Sequence, residues 1–194
     1  MKLKKAVDGR KSKILKPWQT LKRQEIFSSE PWIRVSVEKI RLPDGRIVDD
    51  YHQIHLLDCV VIFAETAGGK VVVEKQYKHG VRKVTFMLPT GGIEKGEKSL
   101  AAARRELKEE TGFVSEDWEP LGSFTQMGNY GGAVSHLFLA RNARKVTEPV
   151  PSDLEEMEIV LLDKKELMAG IRKNDICVLN TVTAILLATH PLRR

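Results

Sequence analysis

Apolar and polar positions alternate along much of the chain with the two-residue period of strands that bury one face. Over residues 32–40, Ile33, Val35 and Val37 alternate before Ile40, which predicts a strand, and Leu42-Pro43-Asp44-Gly45-Arg46 follows as a turn. Residues 47–54 are the expected return strand of that hairpin. The denser apolar runs at 56–63 and 70–76 flank Thr66-Ala67-Gly68-Gly69 and read as central strands joined by a tight turn. A shorter strand at 85–88 leads into Pro89-Thr90-Gly91-Gly92, where two glycines relax the backbone. Further strands are expected at 121–125, 134–140 and 157–162, the first two separated by the glycine-rich stretch 128–132.

The period changes to that of a helix over residues 98–111, with Ser99 near its start and Gly112 as its stop. Residues 164–172 and 179–189 predict two closing helices. Hairpins with interspersed helices place the chain in the α+β class, a mixed α/β/α sandwich rather than a doubly wound sheet.

The 194 residues suffice for one substantial core with extensions. The net charge of +6 is carried by residues 1–16, where Lys2, Lys4, Lys5, Arg10, Lys11, Lys13 and Lys16 face one acid, Asp8. From Pro17 onward 25 basic and 25 acidic residues balance, so the body has no nucleic-acid signature. The basic segment reads as a solvated tail, with a phosphate-contacting arm as the alternative. No run approaches the roughly 18 apolar residues of a membrane span. Cys59 and Cys177 lie far apart without metal-ligand spacing, and two buried, reduced thiols in a soluble cytoplasmic protein are expected.

Within the predicted helix, Glu106, Glu109 and Glu110 stand at i, i+3 and i+4 and share an arc of about 100°. Leu100, Ala103 and Leu107 occupy another stripe, so the leucines can meet a sheet while the acids face outward. Like charges this close repel unless neutralised, and a hard divalent cation bound through oxygen does so. Taken alone, Arg-Glu-Leu-Lys-Glu-Glu is also compatible with a solvated helix face.

The surroundings decide between these. Gly91, Glu97, Arg105-Glu106-Leu107, Glu109-Glu110 and Gly112-Phe113 resemble the Nudix box at all nine specified positions. An accidental match to its seven strictly specified residues is below about one in a million. The resemblance implies a Nudix-like fold and metal-dependent hydrolysis of a pyrophosphate in a nucleoside diphosphate linked to another moiety. It implies Glu106 and Glu110 as principal Mg2+ ligands, with Mn2+ the alternative ion, and Glu109 as a third ligand or water-mediated partner. The Thr90 carbonyl is a further implied ligand. Arg105 and Glu97 are implied to pair and orient the helix.

A narrower resemblance over about residues 30–190 is to the ADP-ribose and nucleotide-sugar pyrophosphatase branch. It is carried by 41–46, by Glu74-Lys75-Gln76-Tyr77-Lys78-His79, by Leu88-Pro89-Thr90-Gly91-Gly92 and by the strand 136–140. That branch implies a homodimer formed by N-terminal strands and a division into a tail at 1–16, a hairpin extension at 17–55 and a catalytic domain at 56–194. ADP-ribose-preferring members carry Pro where this chain has Gly128, so the substrate is ADP-ribose or another nucleoside diphosphate sugar. Nucleoside triphosphates, dinucleoside polyphosphates and a non-catalytic nucleotide-binding role are the alternatives. A late-loop glutamate, Glu155 or else Glu156, is the implied base. Trp32 is a candidate to stack on the nucleobase, though a core position is equally consistent with its sequence. Gly91, Gly92 and Arg82 are candidates for phosphate contact.

Overall fold

The computed structural model describes residues 15–150 and 156–191. The basic residues up to Lys13 and the candidate base Glu155 lie outside the described residues. The chain forms two compact units, Met1–His55 and Leu56–Arg194.

In the first unit the expected hairpin is present, but it is preceded by a strand that the pattern of hydrophobicity does not announce. β1 (Gln19–Ser29) pairs antiparallel with β2 (Ile33–Arg41), from Gln19 opposite Arg41 to Ser29 opposite Ile33, with irregularities after Thr20 and Glu25. β3 (Ile47–Leu56) follows on the other side of β2. All eleven residues of β1 are exposed, so no apolar alternation is needed; pairing with β2 makes it a strand. The buried positions of β2 are Ser36, Glu38 and Ile40, while Val35 and Val37 are half-buried. Burial of Glu38 is balanced by Arg23, whose Nε donates at 2.6 Å, and by the Thr20 hydroxyl at 3.0 Å.

The second unit is a sheet with helices on both faces. β4 (Cys59–Thr66) runs parallel to β10 (Gly131–Lys145), with Cys59 opposite Ser135 and Ala64 opposite Ala140. β9 (Asp117–Met127) pairs antiparallel with β10 across the turn at Gly128. β5 (Val71–Lys78) is flanked by β6 (Lys83–Met87) and β11 (Met157–Leu162), both antiparallel to it. β7 (Thr90–Gly92) pairs with β4, and β8 (Phe113–Val114) with β10. The segment after the shorter strand, residues 90–92, is therefore a short strand itself. The first central strand begins three residues later than expected because Asp58 serves the loops instead. Its carbonyl accepts from Ile93 N–H at 2.9 Å, and its carboxylate from Val134 N–H at 2.7 Å.

Alternation along β4 sorts the core. Val61 and Phe63 join Leu137 and Leu139 against α2 (Lys164–Arg172) and α3 (Leu179–Thr189), through Leu167, Ala184 and Ile185. Val60, Ile62 and Ala64 face the opposite way, onto Ala102, Ala103 and Leu107 of α1 (Ser99–Thr111). The α+β sandwich expectation holds. Both cysteines are free and half-buried rather than buried, Cys59 near Ser135 and Cys177 near Thr85. Among the described residues, no helix is long and apolar enough to cross a membrane.

Candidate active site

Helix α1 carries the box because its ends are fixed and one side is apolar. At its C-terminus Gly112 takes φ 74°, and its N–H donates to the Lys108 carbonyl. A Cβ there would lie 2.0 Å from the Thr147 carbonyl oxygen, so only glycine fits both conformation and space. Leu107 and Ala103, fully buried, press one stripe onto β4 and β10. The acids of the next turn consequently line the approach to β7.

Arg105 organises them. Its Nε and Nη2 donate to both oxygens of Glu97, at 3.1 and 3.0 Å, forming the expected ion pair as a two-point clamp. Nη1 donates to Glu106 at 2.7 Å and to Glu109 at 3.2 Å, and Nη2 also reaches the Gly92 carbonyl at 3.0 Å. One guanidinium thus ties the loop after β7 to the helix. Hydrogen bonding to Arg105 holds the Glu97 carboxyl below its usual range. The same contacts hold Arg105 protonated, with Glu97 the largest influence.

The three box glutamates are in different surroundings. Glu109 is more than half exposed, whereas the Glu106 side chain is only 12% exposed. Burial raises the Glu106 pKa against the opposing pull of Arg105. Glu110 lies deeper. Its pKa is driven well above the carboxylate range, first by burial and then by the charges of Glu74 and Glu106, although the Thr90 amide donates to it at 3.1 Å. Gly91 lies directly against Glu106: a Cβ at that position would be 1.8 Å from the glutamate Cδ. The glycine leaves the room that the carboxylate fills.

Among the described residues, no three His, Cys, Asp or Glu side chains are gathered as a metal cage. Glu106 and Glu109 are instead drawn to Arg105. The donor chemistry nonetheless fits a hard divalent cation: it is all oxygen, partly desolvated, and carries like charges that a cation relieves.

The remaining candidates are more scattered. Thr90 lies beside the acids, with its amide directed to Glu110 and its hydroxyl to Leu88 O. Gly92 is joined through its carbonyl to Arg105. Arg82 is exposed in the β5–β6 turn, four residues of strand or about 13 Å beyond Glu74. Trp32 belongs to the first unit and is 73% exposed, which removes the core reading. Glu156 precedes β11, and its neighbour Met157 is opposite Gln76. A cavity of about 360 Å³, lined by residues including Phe124, Gln126, Ser135 and Leu179, opens on the sheet face opposite α1 and contains no acid. Sequence reasoning gave no role to Glu74, although an acid two residues after Val72 on a buried strand was the available signal.

Residues 55–179 match the NUDIX domain family, and residues 18–54 match the nucleoside diphosphate sugar hydrolase N-terminal domain. A methanol dehydrogenase activator of Bacillus methanolicus is 29% identical over 168 residues, covering 86% of this chain and 90% of that protein. An ADP-ribose pyrophosphatase of Bacillus subtilis (strain 168) is 29% identical over 154 residues, 77% of this chain and 82% of that protein. A crystal structure of an ADP compounds hydrolase superposes with a TM-score of 0.77 over 91% of this chain and 95% of that chain at 21% identity, a likeness of fold. With an intact box on its helix and the domain match spanning most of the chain, the protein belongs to the Nudix family and is one of its hydrolases.

Proposed function

We propose that the chain hydrolyses the pyrophosphate bond of a nucleoside diphosphate sugar, ADP-ribose or a related ADP-sugar, to a nucleoside monophosphate and a sugar phosphate. For the chemistry, the observation that carries this reading is a desolvated pair of acids on one helix face, Glu106 lying against Gly91 and bonded by Arg105, and Glu110 one turn on, accepting from the Thr90 amide. For the substrate class, it is the nucleotide-sugar hydrolase match of residues 18–54.

In this reading Glu106 and Glu110 hold Mg2+, or Mn2+ in its place, with Glu109 and the Thr90 carbonyl as further donors. The bound cation supplies charge neutralisation at the phosphates and acidifies a water. Glu155, with Glu156 as the alternative, takes the proton of the water that attacks one phosphorus, while the bond from that phosphorus to the bridging oxygen breaks. Arg105 acts by position, fixing Glu106 and Glu109 and drawing the Gly92 carbonyl toward the helix. Gly91, Gly92 and Arg82 contact phosphate oxygens in this reading, and Trp32 stacks on the nucleobase. Residues 17–55 act as an extension to the catalytic domain at 56–194.

The protein acts as a homodimer in this reading. Support comes from β1, an exposed strand bearing Leu21, Ile26 and Phe27, which is a template for pairing with a second copy. Two free thiols suit the reducing cytoplasm.

The test is turnover of ADP-ribose, ADP-sugar, UDP-sugar, GDP-sugar and nucleoside triphosphates with Mg2+, comparing the native chain with Glu110→Gln. The expected result is cleavage of an ADP-linked sugar that is abolished by chelation and lowered at least about a hundredfold in the variant. Cleavage of triphosphates alone would overturn the substrate class; undiminished turnover by Glu110→Gln would overturn the site.

A further inference from the structure

Strand β5 presents a polar face to the helix that carries the box. Val72, Glu74 and Gln76 share one side of the strand, the side on which Val72 meets Ala103 and Leu107. Glu74 is opposite Met87 of β6 and Ile159 of β11, an interior position where an apolar residue is the ordinary choice. It is nevertheless an acid only 1% exposed, followed on the same face by an amide 4% exposed.

Their contacts converge on the site. Gln76 Nε2 donates to Glu74 Oε2 at 2.9 Å, and the Glu74 carboxyl is near enough to Glu110 for the two charges to act on each other. The other end of the amide, Gln76 Oε1, is buried without a hydrogen-bond partner. A buried acceptor left in this way bears the full cost of losing its water. Two carboxylates and an amide whose oxygen is unsatisfied therefore lie on the facing sides of β5 and α1, beyond the packing of Val72 with Leu107. This set contains only two acids, so it differs in kind from the three-acid cage absent among the described residues.

We propose that Glu74 and Gln76 of β5, together with Glu110, form an inner subsite for a divalent cation. The proposal rests on the reading of Glu110 as a metal ligand and adds ligands from outside the box. A hard cation accepts carboxylate and amide oxygens alike, and one bound here offsets the repulsion between Glu74 and Glu110 while giving Gln76 Oε1 a partner. The requirement for that occupant accounts for an acid and an amide on a buried strand whose three preceding residues are valines.

The experiment is titration of the full chain with Mn2+ in the absence of nucleotide. Free ion is followed by electron paramagnetic resonance, and the metal-induced rise in Tm is measured alongside it. Glu74→Gln and Gln76→Leu should each weaken Mn2+ binding by about tenfold or more and reduce the metal-induced rise in Tm. Glu74→Val, close in volume and matched to its strand neighbours, should do the same if the amide variant folds poorly. Mn2+ affinity within about twofold of the native chain in any of these variants, once folded, would overturn the subsite. Glu110→Gln separates the two readings. Weak binding there with native binding in the Glu74 variants removes only the inner subsite, whereas native binding in Glu110→Gln removes the box reading with it.

Discussion

Gly91→Ala adds one methyl group where the structure has no room for it. Gly91 has no left-handed φ, so alanine suits its backbone, and the consequence falls on a single neighbour. The new Cβ would lie 1.8 Å from Glu106 Cδ and 2.1 and 2.2 Å from its oxygens, against an ordinary contact of 3.4–4 Å. The carboxylate must retreat by about 1.5 Å, and a displacement of about 1 Å at a reacting centre costs on the order of a hundredfold. That corresponds to about 2.7 kcal/mol of lost transition-state stabilisation. The fold should survive, because the displaced group is the end of a flexible side chain. The assay is kcat/KM for the preferred nucleotide sugar with Mg2+, accompanied by Tm. Gly80→Ala serves as the control, since nothing lies within 4 Å of a Cβ there. In a Glu106→Ala background the clash is gone, so Gly91→Ala should then add little. Turnover within about threefold of the native chain, or an undiminished loss in the Glu106→Ala background, would refute the reasoning.

Leu107→Ala should cost about 2–5 kcal/mol by chemical denaturation, since this fully buried side chain joins α1 to Val60, Ile62 and Phe138. Asp163→Ala should lower Tm at pH 7 without altering turnover, because it removes the capping box of α2. The Asp163 carboxyl is held below its usual range first by the Glu166 amide and also by Lys70. Its contribution is therefore present above the unfolded value near ~3.9 and lost as pH falls through the lower folded value, so the Tm gap should close in acid. Replacing Ile26 and Phe27 of β1 with serine should convert the proposed homodimer to monomers in light scattering; an unchanged mass would exclude β1 as the pairing element.

The parts of this chain that were legible in sequence are those whose information is local. The box helix, expected at 98–111 and found at Ser99–Thr111, has its periodicity, its acids and its glycine stop within one segment. The hairpin at β2 and β3 was legible because its turn residues lie between two apolar runs. β1 was not, because Gln19–Ser29 has no buried face and its strand form depends on a neighbour further along the chain. Glu74 was quoted in a motif yet given no role, because its meaning depends on Glu110, 36 positions away across the sheet. Trp32 illustrates the opposite case: its sequence fits a core position, and only the structure shows its exposure.

The division of labour among the box acids follows from the same geometry. Arg105 spends its donors on Glu97, Glu106, Glu109 and the Gly92 carbonyl, so it stabilises the outer side of the helix from within the chain. A lysine has no planar fork with which to reach these groups together. Glu110 receives the Thr90 amide and no guanidinium, while burial and the charges of Glu74 and Glu106 raise its pKa. The protein can thus fold with its outer acids already paired while keeping its deepest one in a setting that favours a cation. Arg105 and β5 are consequently different neighbours of one helix turn, the first bonded to Glu106 and Glu109 and the second acting on Glu110. Substitution at Arg105 acts mainly on loop and helix geometry, while substitution on β5 acts on the charge that Glu110 faces.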